Sequence, residues 1–422
     1  MVFTPVQSRE RPQFDFEPMS GGSAPARTRG EAPARTLRIA LAGGGTGGHI
    51  VPGLHLLSTD RARRSVADVL WFQTGRAVEA RVLAGAEERL APARLERVTL
   101  TLEPDGGGAP GLARLGLCTA PAVLKARAAL LAHRSQVLVG LGGFTSLPAA
   151  LAARSLGIPI ALLEVNAHCG RATRWLAPLA RRVLHSWRST LPKSTDGARS
   201  GSGRHLRIGP PLAPEFTAGS PDSVAQAEAR QALGFSREAP LLAVLGGSQG
   251  AGGINRFVAE FAPFWTLNGL SVLHQVGPGR WGEAAPAGPG YRAVEYVGDV
   301  AEVLRGSTLV LCRGGASTLA EVGALRRPAW VVPYPHHADR HQETNARELG
   351  LGALIVDERK LSLDHAREVL RLCGPSGAGE RSRMTFALEG VVPLDGAQRM
   401  FDEIALLANQ HTSRFQSPVA GS

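Results

Sequence analysis

His49 closes the run Gly43-Gly44-Gly45-Thr46-Gly47-Gly48-His49, and a histidine at the end of such a glycine turn is either a structural side chain or one that points into a cleft to do chemistry. Imidazole is the side chain whose ordinary pKa lets it take a proton from a hydroxyl near neutral pH. The glycines let backbone amides come close to a ligand, and a helix starting after them would turn its partial positive charge toward an anion. Three further glycine loops repeat the theme: Gly140-Leu141-Gly142-Gly143-Phe144-Thr145-Ser146, Gly246-Gly247-Ser248-Gln249-Gly250 and Arg313-Gly314-Gly315-Ala316-Ser317-Thr318. The last two could meet one diphosphate with two helix starts. Glu321 follows Thr318 by three residues, a spacing that serves either a capping box or a carboxylate one turn into a helix that accepts from a ribose diol. His336, His337, Asp339 and His341 have the types of metal ligands, and a polar loop leading into a helix explains them equally.

Several chemistries are missing. No Gly-x-x-x-x-Gly-Lys-Ser/Thr element offers a phosphate-loop lysine, and no Asp-x-Asp pair offers a divalent ion on a nucleotide diphosphate. Gly43-x-Gly45-x-x-Gly48 matches the dinucleotide fingerprint formally. The expected second strand, Val69 to Phe72, however, runs into Gln73-Thr74-Gly75 rather than the acidic residue that would hold a ribose, so no cofactor is expected.

Each glycine loop is preceded by a short apolar run: Leu37 to Ala42, Val137 to Leu141, Leu241 to Leu245 and Thr308 to Cys312. Continuous apolar strands alternating with helical stretches imply parallel sheets covered on both faces, with ligands beyond the carboxyl ends of the strands. The fold class is therefore α/β, as two Rossmann-like domains facing across a cleft. The expected division is a disordered tail over 1–36, a first domain over 37–209, a second over 210–394 and a closing helical stretch over 395–411, from Asp395, able to pack back on the first domain. A second disordered tail follows over 412–422. Gly209-Pro210-Pro211-Leu212-Ala213-Pro214 forms the boundary.

Composition limits the partners. The 422 residues include 51 glycines and carry a formal charge of +11, almost all of the basic residues being arginine. With few aromatics and no long basic block, nucleic acid is not an expected partner. Cys118, Cys169, Cys312 and Cys373 are too scattered for a disulfide scaffold. No apolar stretch reaches 18 residues and the Pro/Gly/Arg-rich start lacks the apolar core of a signal peptide, so a cytoplasmic location is expected.

Four ordered segments, GGGTGGHIVPGL (43–54), GLGGFTSLPAALAARSLGIPIALLEVNA (140–167), LGGSQGAGGIN (245–255) and CRGGASTLAEVGALRRPAWVVPYPHHADRHQETNA (312–346), together resemble the MurG family. The resemblance runs from about Leu37 to about Ala405. It implies a GT-B fold with an N-terminal acceptor domain and a C-terminal nucleotide-sugar domain. The implied activity is inverting transfer of N-acetylglucosamine from UDP-N-acetylglucosamine to undecaprenyl-pyrophosphoryl-N-acetylmuramoyl-pentapeptide, converting lipid I to lipid II at the cytoplasmic face of the membrane. By motif position, the resemblance makes Thr46, Gly47 and Gly48 the first-domain loop that meets the donor, and Asn166 a contact to its sugar. Ser248 and Gln249 fall at the diphosphate, Val297 presents backbone to uracil, Ala316, Ser317, Thr318 and Glu321 face the ribose, and Gln342 reaches sugar hydroxyls. His49 is the candidate base, and no metal is implied.

The chain departs from the family in places. Leu212-Ala213 stand where an arginine contacts donor phosphate, with Arg313 a possible substitute. Glu103 and Asp105 make the acceptor loop 102–108 acidic, and Leu147 and Val165 replace the usual Gly and Gln. Leu117, Val123, Leu124, Lys125, Arg127 and Arg134 suit either a peripheral contact with an anionic membrane surface or an ordinary core-facing helix. Two other functions fit the same donor loops: a GT-B UDP-sugar transferase with another lipid or glycan acceptor, and a non-catalytic nucleotide-sugar-binding paralogue.

Overall fold

The computed structural model describes residues 36–45, 47–101, 109–192, 203–336 and 340–416, without the side chains of 109–118 and 414–416. Thr46, the acceptor loop 102–108, His337, Asp339 and residues 1–35 and 417–422 of the expected tails thus lie outside the described residues, as does the Leu117 side chain.

Two parallel sheets carry the chain. The first joins β1 (Leu37–Gly43), β2 (Val66–Gln73), β3 (Arg94–Thr99), β4 (Val137–Gly142), β5 (Ile160–Glu164), β6 (Arg182–His185) and β7 (His205–Arg207) in the order β3-β2-β1-β4-β5-β6-β7. The second joins β8 (Leu241–Leu245), β9 (Ser271–Gln275), β10 (Tyr291–Val294), β11 (Leu309–Cys312), β12 (Ala329–Val331) and β13 (Ala353–Ile355) in the order β10-β9-β8-β11-β12-β13. Successive strand residues point to opposite faces, so an apolar run with no polar alternation needs a cover on each side. Along β1, Leu37, Ile39 and Leu41 enter one core cluster while Ala40 and Ala42 enter another. Along β8, Leu241, Ala243 and Leu245 separate in the same way from Leu242 and Val244.

Strand order reverses direction between β1 and β4 in the first sheet and between β8 and β11 in the second. At such a switch point the flanking helices diverge and leave a crevice beyond the strand ends. All four glycine loops fall there.

The final helix, Gly396–Gln416, is longer than the sequence suggested: it runs on past Thr412, where a tail was expected to begin. Its inner face, Met400, Phe401, Ile404, Ala405, Leu407 and Ala408, belongs to the same core cluster as Leu37, Ile39 and Leu41. Arg182–Glu403 and Arg61–Asp402 ion pairs fasten it at 3.0 and 2.6 Å, and Gln136 Nε2 donates to Thr412 Oγ1 at 2.7 Å. The apolar face packs the helix on the first core, and the Gln136 bond to Thr412 holds its continuation.

Candidate active site

The first loop begins with a break in register. Ala42 pairs with Gly140 but Gly43 pairs with Gly142, and this irregularity turns the chain out of β1 into the helix Gly47–Leu57. Trp71 Nε1 donates to the Gly43 carbonyl at 3.0 Å, and Ser146 Oγ lies 2.9 Å from the carbonyls of Ala42 and Gly142. The ends of β1, β2 and β4 are thereby held as one platform.

His49 stands on that platform under the Gly142-Gly143 turn. Both glycines have positive φ, +99° and +78°, and a Cβ on either would press on the imidazole, at 3.0 Å from Cδ2 and 3.3 Å from Nδ1 respectively. His49 Nδ1 lies 3.1 Å from the Gly44 carbonyl oxygen. A carbonyl only accepts, so Nδ1 carries the hydrogen and Nε2 the lone pair. Burial pushes the His49 pKa below its ordinary value, against the Gly44 carbonyl and the Glu164 carboxylate, which raise it, while His341 lowers it. The imidazole is thus neutral at pH 7, with Nε2 as its accepting nitrogen.

Two glutamates that the sequence reading passed over organise this lobe. Glu79, fully buried on the helix Ala77–Val82, accepts from the amides of Gly45, Thr74 and Arg76 at 2.6, 3.0 and 3.0 Å and from Thr74 Oγ1 at 2.8 Å. The Gly75 amide adds a further bond at 2.5 Å. These bonds hold its pKa low despite burial, and they tie the β1 loop to the β2 loop. A Cβ on Gly44 would fall 2.2 Å from Glu79 Oε1, which explains that glycine. Arg76 has no side-chain acceptor to make a capping box with Glu79, so no local pattern marked this glutamate. Glu164, buried at the end of β5, accepts from the amides of Asn166 (3.1 Å) and Gly170 (2.8 Å) and from Asn166 Nδ2 (3.4 Å).

The second lobe meets the first at close range. A Cβ on Gly47 would stand 3.4 Å from Ser248 Oγ, so the first loops of the two lobes lie lip to lip. Asn345, also unforeseen, spans them: its Oδ1 accepts from the Ala167 amide at 2.7 Å, and its Nδ2 donates to the Gly314 carbonyl at 2.9 Å and to Asn166 Oδ1 at 3.3 Å. Asn166 is therefore oriented from both lobes.

Ser248 and Gln249 precede the helix Gly252–Leu267, whose sixteen residues give it a dipole start facing this loop. The guanidiniums of Arg280 and Arg256 flank that start, 3.5 and 3.7 Å from where a Gly252 Cβ would be. Arg280 Nε donates to the Gln249 carbonyl at 3.2 Å and its NH1 pairs with Glu283 at 2.7 Å. Arg313, the substitute suggested for the missing linker arginine, is committed elsewhere: it pairs with Glu358, and its NH1 donates to the Val332 and Pro333 carbonyls. Leu212 and Ala213 of the linker are buried in the second core and present no charge.

The Ala316–Ala324 helix begins behind Gly315, three residues earlier than a Thr318 cap requires, so Glu321 is an interior residue and the capping-box alternative falls. Buried and near Glu215, its carboxyl is pushed up to about 8. No hydrogen bond reaches it among the described residues, and the buried Ser317 Oγ likewise has no partner. Two unsatisfied buried groups on one helix start are suited to a ligand with a diol or hydroxyls. Val297 packs its side chain into the core, leaving backbone for any ligand. Gln342 Oε1 accepts from the Tyr334 amide at 2.9 Å, which leaves its NH2 to donate. His336 packs edge-on against Tyr334, and among the described residues no group of three His, Cys, Asp or Glu side chains could hold a metal.

The model of the glycosyltransferase family 28 N-terminal domain matches residues 39–185 and that of the C-terminal domain residues 241–378. A UDP-N-acetylglucosamine--N-acetylmuramyl-(pentapeptide) pyrophosphoryl-undecaprenol N-acetylglucosamine transferase of Paenarthrobacter aurescens is 35% identical over 377 residues, 87% of this chain and 96% of its own length. The enzyme of the same name from Sorangium cellulosum is 34% identical, covering 88% of each chain. Among solved structures, Acinetobacter baumannii MurG superimposes with a TM-score of 0.63 at 21% identity, over 87% of this chain and 99% of its own, a likeness of fold that matches the GT-B expectation.

Proposed function

Since this chain belongs to glycosyltransferase family 28 and, within it, to the MurG family, we propose that it moves N-acetylglucosamine from UDP-N-acetylglucosamine to N-acetylmuramyl-(pentapeptide) pyrophosphoryl-undecaprenol, making lipid II for peptidoglycan. The observation that carries the site assignment is the facing of the two switch-point loops, with a neutral imidazole on one lip and a helix start with two flanking guanidiniums on the other.

His49 Nε2 takes the proton of the acceptor hydroxyl as its oxygen bonds to the anomeric carbon. The bond from that carbon to the UDP oxygen breaks on the opposite face, the electron pair leaves with UDP, and configuration inverts. Charge gathering on the leaving diphosphate meets the amides around Ser248 and Gln249 and the starts of the Gly252–Leu267 and Ala316–Ala324 helices. Glu321 and Ser317 accept and donate to the ribose, Thr318 borders it, and Val297 offers backbone to uracil. Asn166 and Gln342 hold the sugar, while Thr46, Gly47 and Gly48 close over it. Glu164 acts through electrostatics on His49, and Glu79 is a positioning residue for the loop that carries it.

The acceptor's lipid implies work at a membrane surface, at its cytoplasmic face. Among the described residues no helix is long and apolar enough to cross one. On the Ala109–His133 helix, Ala122, Ala126 and Leu130 face the core, while Leu124, Leu131 and Lys125, with Arg134 just after the helix, are exposed. Val123 packs partly inward and Arg127 reaches Ser155, so the helix is core-facing on one side and supplies an apolar, basic strip for anionic lipid on the other.

Release of UDP from UDP-N-acetylglucosamine, with and without a lipid I analogue in detergent, tests the reading. Acceptor-dependent release lost in His49→Ala supports it. Donor binding without such release, where a reference enzyme works, moves the assignment to another acceptor or to a binding paralogue.

A further inference from the structure

At the other end of the second sheet lies a cavity of about 690 Å³. Arg230 Nη2 donates to Thr308 Oγ1 at 2.9 Å, and the same oxygen accepts from the Leu241 amide at 3.1 Å, so the cavity adjoins the first residues of β8 and β11. The loops of the active site follow their last residues. A five-residue strand rising roughly 3.3 Å per residue separates the two places by about 15 Å.

Four arginines line this cavity: Arg230, Arg326, Arg327 and Arg381. Arg326 pairs with Glu389 at 3.1 Å. The other three have no carboxylate within ion-pair distance among the described residues. Arg230 donates to the carbonyls of Gly306 and Arg237 besides Thr308, Arg327 to the carbonyls of Leu325 and Ser307 and to Ser220 Oγ, and Arg381 to the carbonyls of Leu372 and Gly374. Arg230 and Arg327 are at most 9% exposed. A guanidinium has five N–H donors, so each retains donors beyond these bonds. Burial together with Arg230 pushes Arg327 down to about 10, and burial together with Arg381 lowers Arg230, so the charges also repel one another. The second glutamate of the lining, Glu238, is exposed and bonded to Ser236.

Buried, like-charged guanidiniums without a counter-charge are costly, and planar forks of this kind match phosphate oxygens. From this cluster we propose a second anion site, remote from the transfer centre, which takes the diphosphate group of a soluble metabolite. The volume lies within the ~300–1,000 Å³ of small-molecule sites and exceeds what a bare diphosphate fills. Phe386, 75% exposed at the rim, offers a ring face to the group that carries it.

Calorimetric titration of the full chain tests this, with UDP held at the lowest concentration that fills the cleft, so that it does not also occupy the arginine cavity, and with pyrophosphate and ADP as separate probes. The expected result is one further equivalent bound, weakened at least tenfold both in Arg381→Gln, which removes a charge, and in Thr385→Glu, which puts a carboxylate into the cavity. The affinity of UDP for the cleft should be unchanged in both, which also shows that the variants are folded. ADP binding tighter than pyrophosphate, and weakened by Phe386→Ala, assigns a nucleoside-borne diphosphate; equal affinities assign the free ion. No binding of either probe at millimolar concentration, or binding that neither variant weakens, overturns the proposal. The readout is binding alone, so it stands or falls separately from transfer activity.

Discussion

The two lobes share a parallel sheet with its central strands in the same relative order, a switch point at its middle and glycine loops at that point, yet they are furnished for opposite tasks. The first lobe spends its buried polar groups on holding one imidazole: Glu79 ties the loop beneath it, Ser146 locks the strand ends and the Gly142-Gly143 turn covers the ring. The second lobe leaves polar groups open, with Ser317 Oγ unpartnered and Glu321 buried without a bond. Under the proposed function the first lobe, which would handle the proton, is preorganised without its ligand, whereas the second, which would bind the nucleotide, keeps its hydrogen-bonding capacity for it. The strand order determines where chemistry can occur, and a handful of side chains determines which.

Substitutions that cross this division would break the comparison. The largest effect is expected at His49→Ala, with turnover down by about 10²-fold or more and UDP affinity almost unchanged; equal losses in kcat and binding would assign His49 a structural role. Glu79→Ala comes next. It strands five donors, so a loss of about 3 kcal/mol in stability and roughly tenfold in kcat is expected from urea melts and initial rates, again with little change in UDP affinity.

Glu321→Gln sharpens the contrast from the other side. With the ligand-free carboxyl at about 8, UDP must bind the ionised form to use both oxygens, so wild-type affinity rises with pH up to about 8 and binding releases a proton. The Gln variant should bind several-fold more weakly at pH 8.5 and lose that pH dependence in calorimetry. Its native stability should move the opposite way. A carboxyl whose folded pKa is raised costs the fold nothing below the ordinary Glu range and most above about 8, so the variant is more stable than wild type at alkaline pH and equal to it in acid.

The smallest effect belongs to Glu164→Gln. Burial lowers the His49 pKa and Glu164 raises it, so the acidic limb of kcat lies below the usual histidine value of ~6.5 and moves a fraction of a pH unit lower in the variant. A limb moving to higher pH would remove Glu164 from the site's electrostatics.

What the sequence made legible was local. Apolar runs followed by glycine turns located the four central strands to within a residue or so, because both signals are written in consecutive positions. His49 was visible for the same reason. Glu79 was not, since its donors come from Gly45 as well as Thr74 to Arg76, and only the pairing of β1 with β2 brings those segments together. Asn345 and Asn166 are 179 positions apart and meet only when the lobes do. The Glu321 ambiguity turned on the helix start: a start three residues earlier takes Glu321 out of the capping position, and apolar periodicity does not resolve boundaries that finely. The end of the last helix was misjudged because the surface it covers belongs to residues near the start of the chain.

That helix has a mechanical consequence. The chain passes from the first lobe to the second at Gly209-Pro210-Pro211 and returns at Pro393 to Gly396, and the two passages touch: a Cβ on Gly396 would fall 2.3 Å from the Pro210 carbonyl, and one on Gly209 would fall 3.0 Å from Pro393. Two adjoining crossings make a door with both its hinges on one edge. Under the proposed function, any parting of Gly47 and Ser248 to admit a nucleotide sugar would then be a swing about that one edge rather than a twist.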